Sequence, residues 1–172
     1  MISKSKSVLL TLVSTFFALP LNSALDSSAF AGENLPFHAV LQGQANPVPT
    51  GECTLANTET GSGVATHLGK WTWSDQESVQ FLSCPPPGSA IAVTGQFVMV
   101  AANGDEIDGT FETNGTFDPI NGVSVQGGYI FVSGTGRFAN VTGSGTIAAH
   151  GSAGSPSDFV ASLDGVISYK GR

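Results

Sequence analysis

The run Gly134-Thr135-Gly136-Arg137-Phe138-Ala139 has the Gly-x-Gly-x-x-Ala spacing with which backbone N–H groups cradle a pyrophosphate, so it is the first place to look for chemistry. That chemistry needs a parallel strand before the block and a helix after it whose N-terminus faces the anion. It also needs an acidic ribose partner roughly 20 residues further on. The block is succeeded instead by Asn140-Val141-Thr142-Gly143-Ser144-Gly145-Thr146-Ile147, β-branched and glycine-rich, and residues 32–172 contain no run with the pattern of an amphipathic helix. The block reads as a turn between strand-like runs at 123–133 and 142–150, and nucleotides leave the account.

Acid–base chemistry is the next candidate. Glu106, Asp108, Thr110 and Glu112 share one face of a strand by their period of two, and Ile107, Gly109, Phe111 and Thr113 share the other. Such a stripe is either a solvated outer face or a carboxylate cluster pointing inward. Glu112, Asp108 and Arg137 are the residues to test for catalysis. Arg137 either reaches toward a cavity mouth or anchors its own turn to a carboxylate or to strand-end carbonyls.

Other catalytic sets are thin. His38, His67 and His150 fall on three separate strand-like runs without a paired metal-ligand spacing, so no metal site is read, and no cofactor is implied. There is no Gly-x-Ser-x-Gly elbow, and Asp105-Glu106-Ile107-Asp108-Gly109 lacks the alternating ligands and terminal Glu of a calcium loop. Asn114-Gly115-Thr116 and Asn140-Val141-Thr142 have the glycosylation spacing, but each sits where a turn wants Asn-Gly or Thr.

The elements that must position these groups begin after an address segment. Lys4 and Lys6 precede the short apolar run 8–19, Pro20 ends that run, and Ala29-Phe30-Ala31 is a small-x-small cleavage site. The run is too short for a spanning helix. Residues 1–31 therefore read as a cleavable signal peptide cut after Ala31, with an earlier cut near Ala24 as the alternative. Residues 32–172 read as one domain, secreted or periplasmic. That domain keeps 4 basic and 12 acidic residues, a formal net charge of −8. A surface of this sign keeps an exported protein soluble and argues against nucleic acid and anionic lipid as partners.

All 22 glycines lie in this domain, without any long Ala/Leu/Glu/Lys run, which indicates an all-β fold. The only two cysteines, Cys53 and Cys84, are most simply a disulfide in an exported chain. Strand signals appear first at 37–42, before a proline-rich loop through Pro47, Pro49 and Gly51. They continue at 63–68 and 70–73, bent at Gly69, then past a polar turn at 74–77 to 79–83 and a rigid Pro85-Pro86-Pro87-Gly88 break. Residues 92–102 and 106–113 flank the hairpin turn Asn103-Gly104-Asp105, and 123–133, 142–150 and 159–169 complete the count. About eight antiparallel strands in a meander make a small closed barrel without edges. In Gln96-Phe97-Val98-Met99-Val100-Ala101 and Tyr129-Ile130-Phe131-Val132 both faces are largely apolar, so something covers the outside of these strands, most economically a second protomer.

Three blocks carry a resemblance: Thr66-His67-Leu68-Gly69-Lys70, Ala101-Ala102-Asn103-Gly104-Asp105-Glu106, and Gly134-Thr135-Gly136-Arg137-Phe138-Ala139 continued by Thr142-Gly143-Ser144-Gly145-Thr146. Together they resemble exported bacterial proteins of the allene oxide cyclase and dirigent barrel superfamily. The last block is similar to the Gly-Gly-Thr-Gly-Arg-Phe turn of plant dirigent proteins, with Ser133 in place of the first glycine. The resemblance implies an eight-stranded antiparallel meander β-barrel, commonly a trimer, whose lumen takes an apolar small molecule and steers its cyclisation or coupling. The shared residues lie mostly at turns that backbone geometry demands, and the catalytic acids of those families are not matched to positions here.

Three functions stay open. The first is a secreted module that binds an apolar small molecule in a lumen lined by Phe97, Met99, Phe111, Tyr129 and Phe131. The second is a cofactor-independent cyclase or isomerase using the same pocket with a few acids. The third is a structural or surface-interaction barrel filled by its own side chains.

Overall fold

The computed structural model describes residues 33–84, 89–154 and 157–170. The address segment and the 85–88 proline break lie outside these residues. Eight strands, β1 (Leu35–Gly51), β2 (Thr54–Ala65), β3 (Gly69–Phe81), β4 (Ser89–Ala101), β5 (Glu106–Asp118), β6 (Gly122–Gly134), β7 (Thr142–Gly151) and β8 (Ser157–Ser168), close into a barrel in sequence order. Every neighbouring pair is antiparallel. Pairing of β1 with β8, from Leu35↔Ile167 to Ala45↔Ser157, closes the ring.

The strand expected at 63–68 is the end of a longer one, β2, which begins at Thr54 and stops at Ala65. Two further stretches differ from the sequence reading, and both bear on the site. The proline-rich segment is not a loop but the end of β1, paired with β2 through Pro47↔Asn57 and Pro49↔Leu55. Among the described residues pairing with β8 runs no further than Ala45, so Pro47 and Pro49, which have no N–H, lie beyond the described β1–β8 ladder. The polar run 74–77 is not a turn but the middle of β3, paired on both sides through Asp75↔Glu59 and Asp75↔Phe97. The turn lies further back, at Thr66–Leu68, where His67 takes φ +68°; it therefore sits in a connection and not on a strand face.

The remaining turns agree with expectation. In Asn103-Gly104-Asp105 the positive φ falls on Gly104 (+86°) alone. The block at 134–139 forms a short 3₁₀ turn, Gly136–Phe138, and is locked to the neighbouring hairpin: the Thr135 hydroxyl accepts from the Glu106 N–H (3.0 Å), and the Thr135 N–H donates to the Glu106 carbonyl (2.9 Å). Gly136 has φ +56°, and a Cβ there would run into the Asp105 carboxylate, so this position needs glycine twice over.

Side chains alternate in and out along each strand, and the inward set fills the barrel unevenly. From the middle toward the end that carries the 3₁₀ turn, aromatic rings occupy the lumen. Trp73 stacks on Phe97 with centroids 4.6 Å apart, Phe37 meets Phe131 edge-on at 5.2 Å, and Tyr129 lies 5.1 Å from Phe131. Met99, Ile107 and Leu163 pack among them without solvent contact, and Phe138 seals that end against Tyr169. At the opposite end Cys53, after β1, is disulfide-bonded to Cys84, after β3. Such a pair is compatible with an extracytoplasmic location. No helix among the described residues is long and apolar enough to cross a membrane.

Candidate functional site

Below the aromatic layer, toward the disulfide end, the lumen is not filled. A cavity of about 120 Å³ is walled by Leu41, Val79, Ile91, Phe111, Ile147 and Phe159, and its polar side is built by β2 and β3. Two directly opposed pairs, Asn57↔Glu77 and Glu59↔Asp75, place four polar side chains on the inner face within two steps of the ladder.

These side chains hold one another. The Asn57 amide donates from Nδ2 to Glu77 Oε1 at 2.6 Å and to Glu59 Oε1 at 3.1 Å. Asp75 accepts from the Glu59 backbone N–H through Oδ1 and from the Trp73 indole through Oδ2, each at 3.0 Å. Trp73 thus ties the aromatic layer to the acids. Asp75 is 6% exposed and Asn57 7%.

Burial of three carboxylates side by side disfavours their charged forms. The Glu59 carboxyl is pushed up to about 9, first by loss of water and then by repulsion from Glu77 and Asp75. Glu77 is raised to about 7 by burial, with the Asn57 hydrogen bond pulling the other way and Asp75 adding repulsion. Asp75 rises to about 6, again through burial, held back by the Trp73 indole and the Glu59 N–H. Among the described residues no Lys, Arg or His lines the cavity. The three acids each offer one oxygen, all within 4.8 Å of one another, which is a spacing that a hard cation could use.

The residues named from the sequence fall elsewhere, with one exception. Phe111 lines the cavity. Phe97, Met99, Tyr129 and Phe131 point into the lumen but belong to the packed aromatic layer and not to the cavity wall. Glu112 is exposed on the outer face of β5; Asp108, also outward, accepts from the Ser133 hydroxyl at 2.7 Å. Arg137 lies 3.6 Å from Asp105 Oδ2, with its guanidinium 4.7 Å over the Phe138 ring, so it clamps its own turn at the sealed end. The stripe on β5 is therefore an outer face, and none of these three side chains meets the cavity acids.

Glu59, Asp75, Glu77 and Asn57 are absent from the sequence reading, yet a signal for them exists. Trp71, Trp73, Asp75, Glu77, Val79 and Phe81 share one parity. A turn at 74–77 breaks that parity; an unbroken strand carries both acids onto the tryptophan face.

No protein-family model, no curated protein and no solved structure matches this chain.

Proposed function

We propose that this barrel binds a small molecule with an apolar body in the half of its lumen next to the disulfide, and that it works as an exported binding module. The observation that carries this reading is the division of the lumen: one half is packed with its own aromatic rings, and the other leaves an apolar-walled cavity with a polar side. A cavity of about 120 Å³ is below the roughly 300 to 1,000 Å³ of drug-sized sites, which favours a ligand of few heavy atoms or one whose tail leaves through the mouth. Native mass spectrometry of protein recovered from its own source tests it. A co-purifying small molecule is expected, and it should be lost from Ala45→Phe, which puts a ring into the cavity wall. Protein at its bare mass, unresponsive in melting temperature to any small apolar compound, would overturn the reading.

A second reading, a cofactor-independent cyclase or isomerase, draws on a different observation. Neighbouring carboxyls with pKa values of about 9, 7 and 6 offer a proton donor and a proton acceptor side by side near neutral pH. Recovery of the co-purified molecule unchanged after incubation favours binding; conversion that disappears in Glu77→Gln favours the enzyme.

Two further expectations belong with this reading. Export is supported by the charged, apolar and small-residue order of residues 1–31, and N-terminal sequencing of the mature protein should begin at Gly32. Homo-oligomerisation, with a trimer favoured, is supported by outward apolar side chains: Ile130 is 52% exposed, Val132 59%, and Val40 faces Val64 across β1 and β2. Native mass should report the trimer, and Val132→Glu should lower it.

A further inference from the structure

We propose that the ligand of this cavity is a small organic ammonium ion, its nitrogen held among Glu59, Asp75 and Glu77 and its apolar body laid along Leu41, Val79, Ile91 and Phe111. The inference rests on the binding reading above and adds the charge of the ligand to it.

Both unpartnered polar atoms on the cavity wall can accept a hydrogen bond: Asn57 Oδ1 can do nothing else, and the Thr113 hydroxyl can also donate. Once ionised around a cation, the three acids have more lone pairs than the Asn57 amide, the Trp73 indole and the Glu59 N–H can fill. Thr113, 2% exposed and on the cavity wall, has a hydroxyl without a partner, and the Oδ1 of Asn57, 7% exposed, has none either. These two are not carboxylates and come from different strands, β5 and β2: the Asn57 Oδ1 lacks a donor, and the Thr113 hydroxyl lacks any partner, so both point to a missing polar group independently of the acids. An ammonium group carries up to three N–H donors and a positive charge, and it meets both needs at once. A neutral apolar molecule would leave these acceptors stranded, and an anion would face the acids directly.

The surroundings separate an amine from a metal ion. A calcium ion takes six to eight oxygens, and magnesium insists on an octahedron. Apart from the acids, Asn57, Thr113 and the serines Ser152 and Ser157, the wall is chiefly alanine, leucine, valine, isoleucine and phenylalanine, whose side chains ligate nothing. Those walls suit the carbon body of an amine. A cation inside an apolar cavity also attracts the carboxylates more strongly than it would in water.

Isothermal titration of the full-length chain tests this with the ethyl to octyl series of primary alkylammonium ions, the alcohols of the same lengths, the matching carboxylates, and calcium and magnesium chlorides. The best ammonium should bind at least tenfold more tightly than its alcohol, and the carboxylates should not bind. Glu77→Gln should lower ammonium affinity at least tenfold, and Thr113→Val should lower it less, while Glu112→Gln on the outer face leaves it unchanged. Circular dichroism of each variant establishes that it is folded. If alcohols bind as well as ammonium ions, the charge assignment is wrong and the apolar cavity reading survives. If calcium or magnesium binds and no ammonium competes with it, the site is a metal site and the proposal is overturned. If neither ammonium nor alcohol binds, both the proposal and the apolar cavity reading fall.

Discussion

The two halves of the lumen are built from the same strands by the same alternation, yet they oppose each other chemically. On β3 the change happens within four inward positions: Trp71 and Trp73 belong to the aromatic packing, Trp73 hands a hydrogen bond to Asp75, and Glu77 faces the cavity. One half gains stability from dense ring contacts; the other keeps three raised carboxyls and a space. Function is expected where the packing rule is broken and the polar groups are not fully matched. The aromatic half then acts as the rigid floor on which the acids are positioned.

If that division is right, the halves should answer mutation differently. The largest effect belongs to the aromatic half. Phe97 is 1% exposed and contacts Trp73, Phe111, Tyr129 and Phe131, so Phe97→Ala should cost about 3 to 5 kcal/mol of stability. Urea denaturation should show it as a lowered midpoint. On the cavity side Glu77→Gln should cost nothing at pH 8 and is expected to stabilise, because it removes a buried charge without changing shape. Equal losses from the two variants would erase the contrast between the halves.

The disulfide comes next and belongs to the cavity end. It spans a separation of 31 residues and should contribute about 3 to 4 kcal/mol by restricting the unfolded chain. Cys53→Ser should therefore lower the melting temperature in oxidising buffer and change nothing once reductant is present. A wild type that melts identically with and without reductant would refute that role. At the sealed end Gly136→Val should cost about 1 to 3 kcal/mol, since a β-branched residue is poorly tolerated at φ +56° and its Cβ would collide with Asp105. Soluble expression with an unchanged midpoint would show that the turn can relax.

The same division marks how far the sequence could be read. Hairpin turns, strand parity and the glycine content are enough for an eight-stranded meander, because these are local signals that the barrel uses without contradiction. Tertiary pairing overrides local chemistry in two places. Pro47 and Pro49 look like a loop until their pairing with β2 is known, and Ser74-Asp75-Gln76-Glu77 looks like a polar turn until β3 is seen paired on both sides. The acids hide in the second place. Polar residues in a strand interior break the usual pattern, and a functional site is the commonest reason for a sequence to carry them. Glu112, Asp108 and Arg137 draw attention because they flank recognisable turns and stripes, and those are features of the surface.

The smallest effect is the most specific to the cavity. Glu59, Glu77 and Asp75 have folded pKa values of about 9, 7 and 6, all above their ordinary values of 4.5, 4.5 and 3.8. The native state therefore holds more protons than the unfolded chain between roughly pH 4 and pH 9. Bound protons favour the folded barrel, so the contribution of these acids is complete below about pH 4 and is lost as pH rises through 6, 7 and 9 in turn. Glu59 and Glu77 retain some contact with solvent, which softens the loss. The melting temperature should decline from pH 5 to pH 9, and the decline should flatten in a Glu59→Gln, Glu77→Gln double variant while persisting in Glu112→Gln. An ammonium ligand should reverse its sign: bound charge favours the ionised acids, so the liganded barrel should hold its melting temperature toward pH 8, where the free one is losing it. A pH profile that is the same in all three proteins would mean that the acids are already matched by solvent, and the two halves of the lumen would then differ in shape alone.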